Sequence, residues 1–83
     1  MTYTIIFSEK ASQQLAKLDR TIQKRIIAVL ERVKIKPERY VTKLVGDPAF
    51  KLRVGDYRVI LDIEHNELRI LILMIGHRKN IYD

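Results

Sequence analysis

Cysteine is absent from this chain, so neither a disulfide nor a thiolate metal site can staple the fold, and nothing points to an oxidising compartment. Long apolar runs are absent too. The longest uncharged one, Ile70 to Gly76, is far too short to span a bilayer, and Met1 to Phe7 lacks the basic region that precedes the apolar part of a secretory signal. No membrane is expected, and a soluble cytoplasmic protein is. Three glycines and two prolines leave few points of punctuation, and no cluster of metal ligands is apparent, so no metal or other cofactor is expected. Acidic residues are outnumbered, 10 against 16 Lys and Arg, for a net charge of +6. The imbalance is local: between Lys17 and Arg58 there are 12 basic residues against 5 acidic ones. A surface of that kind favours polyanions, chiefly nucleic acid, although lysines and arginines on helix faces also serve solubility.

What is present is a globular balance, 47% hydrophobic and 31% charged, in 83 residues. That length supports one domain, residues 1–83, with one core. Tyr3 to Phe7 is β-branched and aromatic and reads as a strand. Ser8 caps a helix whose stripe is Ala11, Leu15 and Leu18. A second helix carries Ile22, Ile26, Val29, Leu30 and Val33 at helical spacing and is stopped by Pro37. Residues 36–48 read as a loop anchored by Leu44, and three strands follow. The expected fold is α+β, in the order β-α-α-β-β-β, with an antiparallel sheet of about four strands packed against an N-terminal helix hairpin. The last strand, apolar on both faces, is expected inside the sheet, with the first strand a candidate for its other neighbour.

Two alternating runs, Phe50 to Val54 and Tyr57 to Glu64, flank Gly55-Asp56, a dipeptide suited to a two-residue hairpin loop. That loop sets Val54 opposite Tyr57, Arg53 opposite Arg58 and Lys51 opposite Ile60, so three cations share one face. Like charges directly across a strand pair are destabilising, and their retention suggests an anion between them. A turn centred on His65-Asn66 would pair Ile63 with Leu68, Val59 with Ile72, Tyr57 with Met74 and Asp62 with Arg69. It would bring Gly76 level with Gly55, so that the tail from His77 to Asp83 leaves the sheet beside the first hairpin turn. Arginine forks suit phosphate oxygens and can stabilise the charge of a pentacovalent transition state; Tyr82 or His77 could move protons. If the nucleophile is the 2′-hydroxyl of RNA, no metal is required. Each residue also has a plainer role: Lys51 and Arg53 as edge-strand charges that block aggregation, Tyr57 as core, His77 as a phosphate or structural contact, and Tyr82 as a terminal residue.

Lys51-Leu52-Arg53-Val54-Gly55-Asp56-Tyr57-Arg58-Val59 and Gly76-His77-Arg78-Lys79-Asn80-Ile81-Tyr82, in this element order, resemble the RelE/ParE toxin superfamily, and especially its RelE branch. The resemblance spans nearly the whole chain. It implies a type II toxin that enters the ribosomal A site, cuts messenger RNA by metal-independent attack of the 2′-hydroxyl, and is neutralised by a RelB-type antitoxin. By motif position it implies catalytic roles for Arg58 and Arg78 in transition-state stabilisation, for Lys51 in offsetting phosphate charge, and for Tyr82 in orienting or deprotonating the 2′-hydroxyl. Arg53, His77, Lys79 and Lys43 are the candidate RNA contacts. The chain departs from the pattern at Ala49, where some members carry a second lysine, and it lacks a helix after Tyr82. ParE-type relatives share the fold and poison DNA gyrase without cutting RNA, and an inert RNA- or ribosome-binding module is a third reading.

Overall fold

Strand β1 (Thr4–Phe7) ends at Ser8, whose Oγ accepts from the Ala11 amide at 3.0 Å and so caps helix α1 (Glu9–Ala16). These assignments come from a computed structural model that describes residues 2–81. Helix α2 (Arg20–Val33) folds back towards the end of α1, where Gln23 on α2 donates to the Leu15 and Leu18 carbonyls at 2.9 and 3.0 Å. The expected hairpin of helices is therefore held by a side chain that periodicity does not single out. Helix α2 stops at Val33, ahead of Pro37, which is buried and opens a single 3-10 turn (Pro37–Arg39).

Four strands complete the sheet: β2 (Val41–Lys43), β3 (Phe50–Val54), β4 (Tyr57–Glu64) and β5 (Arg69–His77), in the spatial order β1-β5-β4-β3-β2. The α+β class and the position of the last strand beside the first are as expected. Two details are corrected. Val41–Lys43, read as loop, pairs with β3, making five strands; and β1 runs parallel to β5, so the sheet is mixed rather than antiparallel. Three residues are too few for a period-2 signal, and the long connection between β1 and β5 allows a parallel pair that alternation alone cannot reveal. Ala11, Ile26, Leu30 and Val33 of the helices pack against Leu52, Val54, Val59, Leu61, Ile70, Ile72 and Ile75 of the sheet, all buried.

The β4–β5 register also differs from expectation. Ile63 pairs with Ile70, Asp62 with Leu71, Val59 with Ile75 and Tyr57 with His77. The loop is longer than a turn centred on His65-Asn66, running through Leu68, whose φ of 53° is the left-handed region and whose carbonyl accepts from the Thr4 amide at 2.8 Å. Arg69 accordingly meets Glu64, not Asp62. Its guanidinium sits 2.7 Å from Glu64 and 2.8 Å from Glu67, and the Glu64 hydrogen bond, followed by the charges of both carboxylates, raises its pKa further above the ordinary arginine value. His65 accepts or donates at 2.8 Å to the Tyr3 hydroxyl at this same end.

A bulge interrupts the pairing between Ile60 and Leu61, so that Leu73 is the extra residue in β5. It moves Ile75 rather than Met74 onto the core side. Helix α1 satisfies the backbone freed there: Ser8 Oγ donates to the Leu73 carbonyl at 2.9 Å, and Gln14 Oε1 accepts from the Ile75 amide at 2.7 Å. Gln14→Ala leaves that part-buried amide unpaired and is expected to cost about 1–2 kcal/mol in urea unfolding. An unchanged midpoint would show that Gln14 does not hold the bulge.

Candidate functional site at the hairpin turn

The β3–β4 hairpin has the expected register: Val54 opposite Tyr57, Arg53 opposite Arg58 and Lys51 opposite Ile60. Gly55 supplies the positive φ, 59°, that this loop demands. Because Leu52, Val54, Val59 and Leu61 face the helices, Lys51, Arg53 and Arg58 lie on the other face, with Ile60, Met74 and Gly76. There the arginines part company. Arg53 is exposed, whereas Arg58 is 3% exposed, and its Nη1 donates to the Gly55 and Tyr57 carbonyls at 3.1 Å each. Carbonyl oxygens of the turn thus partner the buried cation. Lys51 is half-buried.

The tail does meet the hairpin. Gly76 stands opposite Arg58 rather than level with Gly55, and the next residues pass the turn, where the Arg78 amide donates to the Asp56 carbonyl at 2.8 Å. The Arg78 and Asp56 side chains approach to only 3.9 Å and are both exposed. The chain then reverses: His77 O accepts from the Asn80 and Ile81 amides at 2.8 and 3.1 Å, and the Lys79 amide donates to His77 Nδ1 at 3.2 Å. That bond puts the proton of a neutral His77 on Nε2. The His77 ring also stands edge-on to Tyr57, centroids 5.4 Å apart. Reversal lays Ile81 on Gly76 so closely that a Cβ at position 76 would lie 3.0 Å from Ile81 Cδ1 and Cγ1.

Of the candidate residues, Lys51, Arg53, Arg58, His77, Arg78 and Lys79 gather around the turn and the tail. Lys43 does not join them: it pairs with Phe50, which puts it on the helix-facing side of the sheet with Val41. Tyr82 lies outside the described residues. Two features had no signal in the sequence. Leu44, Val45, Gly46 and Asp47 arch over Ile60, Met74 and Ile81 to enclose an apolar cleft of about 530 Å³ beside the cations. From α2, Arg25 reaches Gly55, where a Cβ would be 2.9 Å from its Nη1. Among the described residues no group of three or more His, Asp and Glu is placed to hold a metal ion, and no helix is long and apolar enough to cross a membrane. The chemistry on offer is anion binding and charge stabilisation by arginines whose positions are fixed by a two-residue turn.

Residues 5–82 match the family described as "ParE toxin of type II toxin-antitoxin system, parDE". Among solved structures, the chain is similar to the RelBE2 toxin-antitoxin complex of Mycobacterium tuberculosis, with 26% identity, a TM-score of 0.87, and 94% of this chain and 100% of that one covered. The intact RelBE complex of E. coli is similar at 26% identity and a TM-score of 0.77, covering 90% and 95%. The YoeB/ParE toxin of Agrobacterium tumefaciens shares the fold, with a TM-score of 0.77 at 12% identity over 89% and 96% of the two chains. No curated protein matches.

The Gly76–Ile81 contact is directly testable. Gly76→Ala is expected to cost about 1–3 kcal/mol by overpacking. Adding Ile81→Ala to it should recover part of the loss in the same urea titration. No recovery in the double variant would show that the tail is not seated on Gly76.

Proposed function

The chain belongs to the RelE/ParE family of type II toxin–antitoxin toxins, and from that premise we propose that it is a ribosome-dependent endoribonuclease that cuts messenger RNA in the A site. The observation that carries this reading is the convergence on one turn: Arg58 bonded to the Gly55 carbonyl and the Arg78 backbone bonded to the Asp56 carbonyl. A gyrase poison of the ParE type has no need of Lys51, Arg58, Arg78 and Tyr82 together. The same family holds the ParE alternative, in which the fold binds DNA gyrase and cuts no RNA.

In the reaction, the 2′-oxygen bonds to the adjacent phosphorus as the bond from phosphorus to the 5′-oxygen breaks. The upstream fragment then ends in a 2′,3′-cyclic phosphate and the downstream one begins with a 5′-hydroxyl. Arg58 and Arg78 stabilise the pentacovalent oxyanion, Lys51 offsets phosphate charge, and Arg53, His77 and Lys79 hold the strand. Tyr82 orients or deprotonates the 2′-hydroxyl, and Arg78 offsets the charge on the departing 5′-oxygen, which takes its proton from water. Direct contact with Arg58, 3% exposed here, requires a local opening when RNA binds. Lys43, on the far side of the sheet, is assigned no part in holding RNA. The partner that silences the toxin is a RelB-type antitoxin, a reading supported by the likeness to toxin-antitoxin complexes.

Arg58→Ala and Arg78→Ala are each expected to slow cutting of programmed ribosomes by roughly 10²–10³-fold in primer-extension mapping. Intact messenger alongside gyrase-linked DNA breaks would instead establish the ParE alternative.

A further inference from the structure

Helix α2 turns Ile22, Ile26 and Val29 toward the core, which leaves its basic residues on the flanks. Most of them are ordinary solvated charges. Arg25 differs in what it lies against: its Nη1 occupies the space beside Gly55 that any side chain there would claim. The guanidinium makes no ion pair or hydrogen bond with the described residues. Three arginines from three elements, Arg25 of α2, Arg58 of β4 and Arg78 of the tail, therefore meet on Gly55-Asp56. The carboxylate of the turn, Asp56, is exposed and only 3.9 Å from Arg78 Nε, which leaves the group strongly cationic.

We propose that Arg25 binds a second phosphate of the messenger strand, next to the scissile one, so that the RNA backbone crosses the hairpin turn from Arg58 toward α2. This rests on the reading of the protein as a messenger-RNA nuclease. The backbone of Gly55 lies between the two guanidinium groups, with Arg58 on its carbonyl and Arg25 beside its Cα. That separation by the chain suits consecutive phosphates of one strand, one on each arginine. An arginine fork without a protein partner is suited to that task, since it keeps its charge and offers two parallel donors. Arg25 thereby contributes to strand binding, and the bond changes belong to the groups around Arg58.

The test uses full-length protein on ribosomes programmed with two messengers, one natural and one carrying a 2′-deoxy nucleotide at the cut site. Arg25→Ala, Arg25→Gln and Arg25→Lys are compared with the wild type. On the uncuttable messenger, Arg25→Ala and Arg25→Gln should raise Kd about tenfold and lower the slope of log Kd against log salt by about one, while Arg25→Lys restores most of both. On the natural messenger, the maximal cutting rate should stay within about twofold of wild type, with the loss in KM. A wild-type salt slope in Arg25→Gln, with lowered thermal stability in all three variants, would reduce Arg25 to a prop for the turn and overturn the proposal. An equal loss on ribosomes without messenger would move the contact to ribosomal RNA and overturn it as well. Failure of the wild type to cut the natural messenger would instead sink the nuclease reading on which the proposal stands.

Discussion

The geometry of this protein depends on the bonds that converge on Gly55-Asp56. A glycine at φ 59° lets β3 and β4 turn in two residues, and the two carbonyls so presented are taken by the Arg58 guanidinium and the Arg78 amide. The first bond gives a buried cation an oxygen partner, and the second brings the tail to the hairpin. A turn of any other length would change the register and separate Arg53 from Arg58 across the pair. The tail would then have no acceptor at Asp56, and the cations would be scattered over a basic surface.

Packing on the opposite face keeps that turn where it is. The apolar faces of β3, β4 and β5 form a single core with Ala11, Ile26, Leu30 and Val33, and the bulge at Leu73 adjusts β5 so that Ile75 completes it. The bulge frees an amide and a carbonyl, and Gln14 and Ser8 of α1 satisfy both. Helix α1 thus bonds to the strand that leads directly into Gly76 and the tail. Beyond it, Ile81 is seated so closely on Gly76 that a side chain there would have to displace it. Scaffold and candidate site are joined through β5.

The hairpin was legible residue by residue because a two-residue loop dictates its own register, and the helices were legible because burial imposes a 3.6-residue period. The β4–β5 pairing was not, since both strands are apolar enough to accept several registers and the choice falls to a longer loop and a bulge. The left-handed Leu68 and the Gln14 bond that fix those features leave no periodic trace. Strand β2 and its effect on Lys43 were hidden for the same reason: three residues carry no pattern, and pairing with Phe50 decides their face. Arg58 was read as sharing a face with Arg53 and not as buried, because alternation gives a side chain its face but not its depth. Arg25 reaches the turn through the packing of α2, a tertiary fact with no local signature.

The central claim is that the arginines at this turn promote attack by the RNA's own 2′-hydroxyl, and the chemical ends of the cut messenger test it most directly. Fragments from programmed ribosomes are treated to distinguish a 2′,3′-cyclic phosphate from a free 3′-hydroxyl, and a 5′-hydroxyl from a 5′-phosphate. The account predicts a cyclic phosphate upstream and a 5′-hydroxyl downstream, with both lost in Arg78→Ala. A 3′-hydroxyl paired with a 5′-phosphate, or messenger left uncut by the wild type, would contradict it.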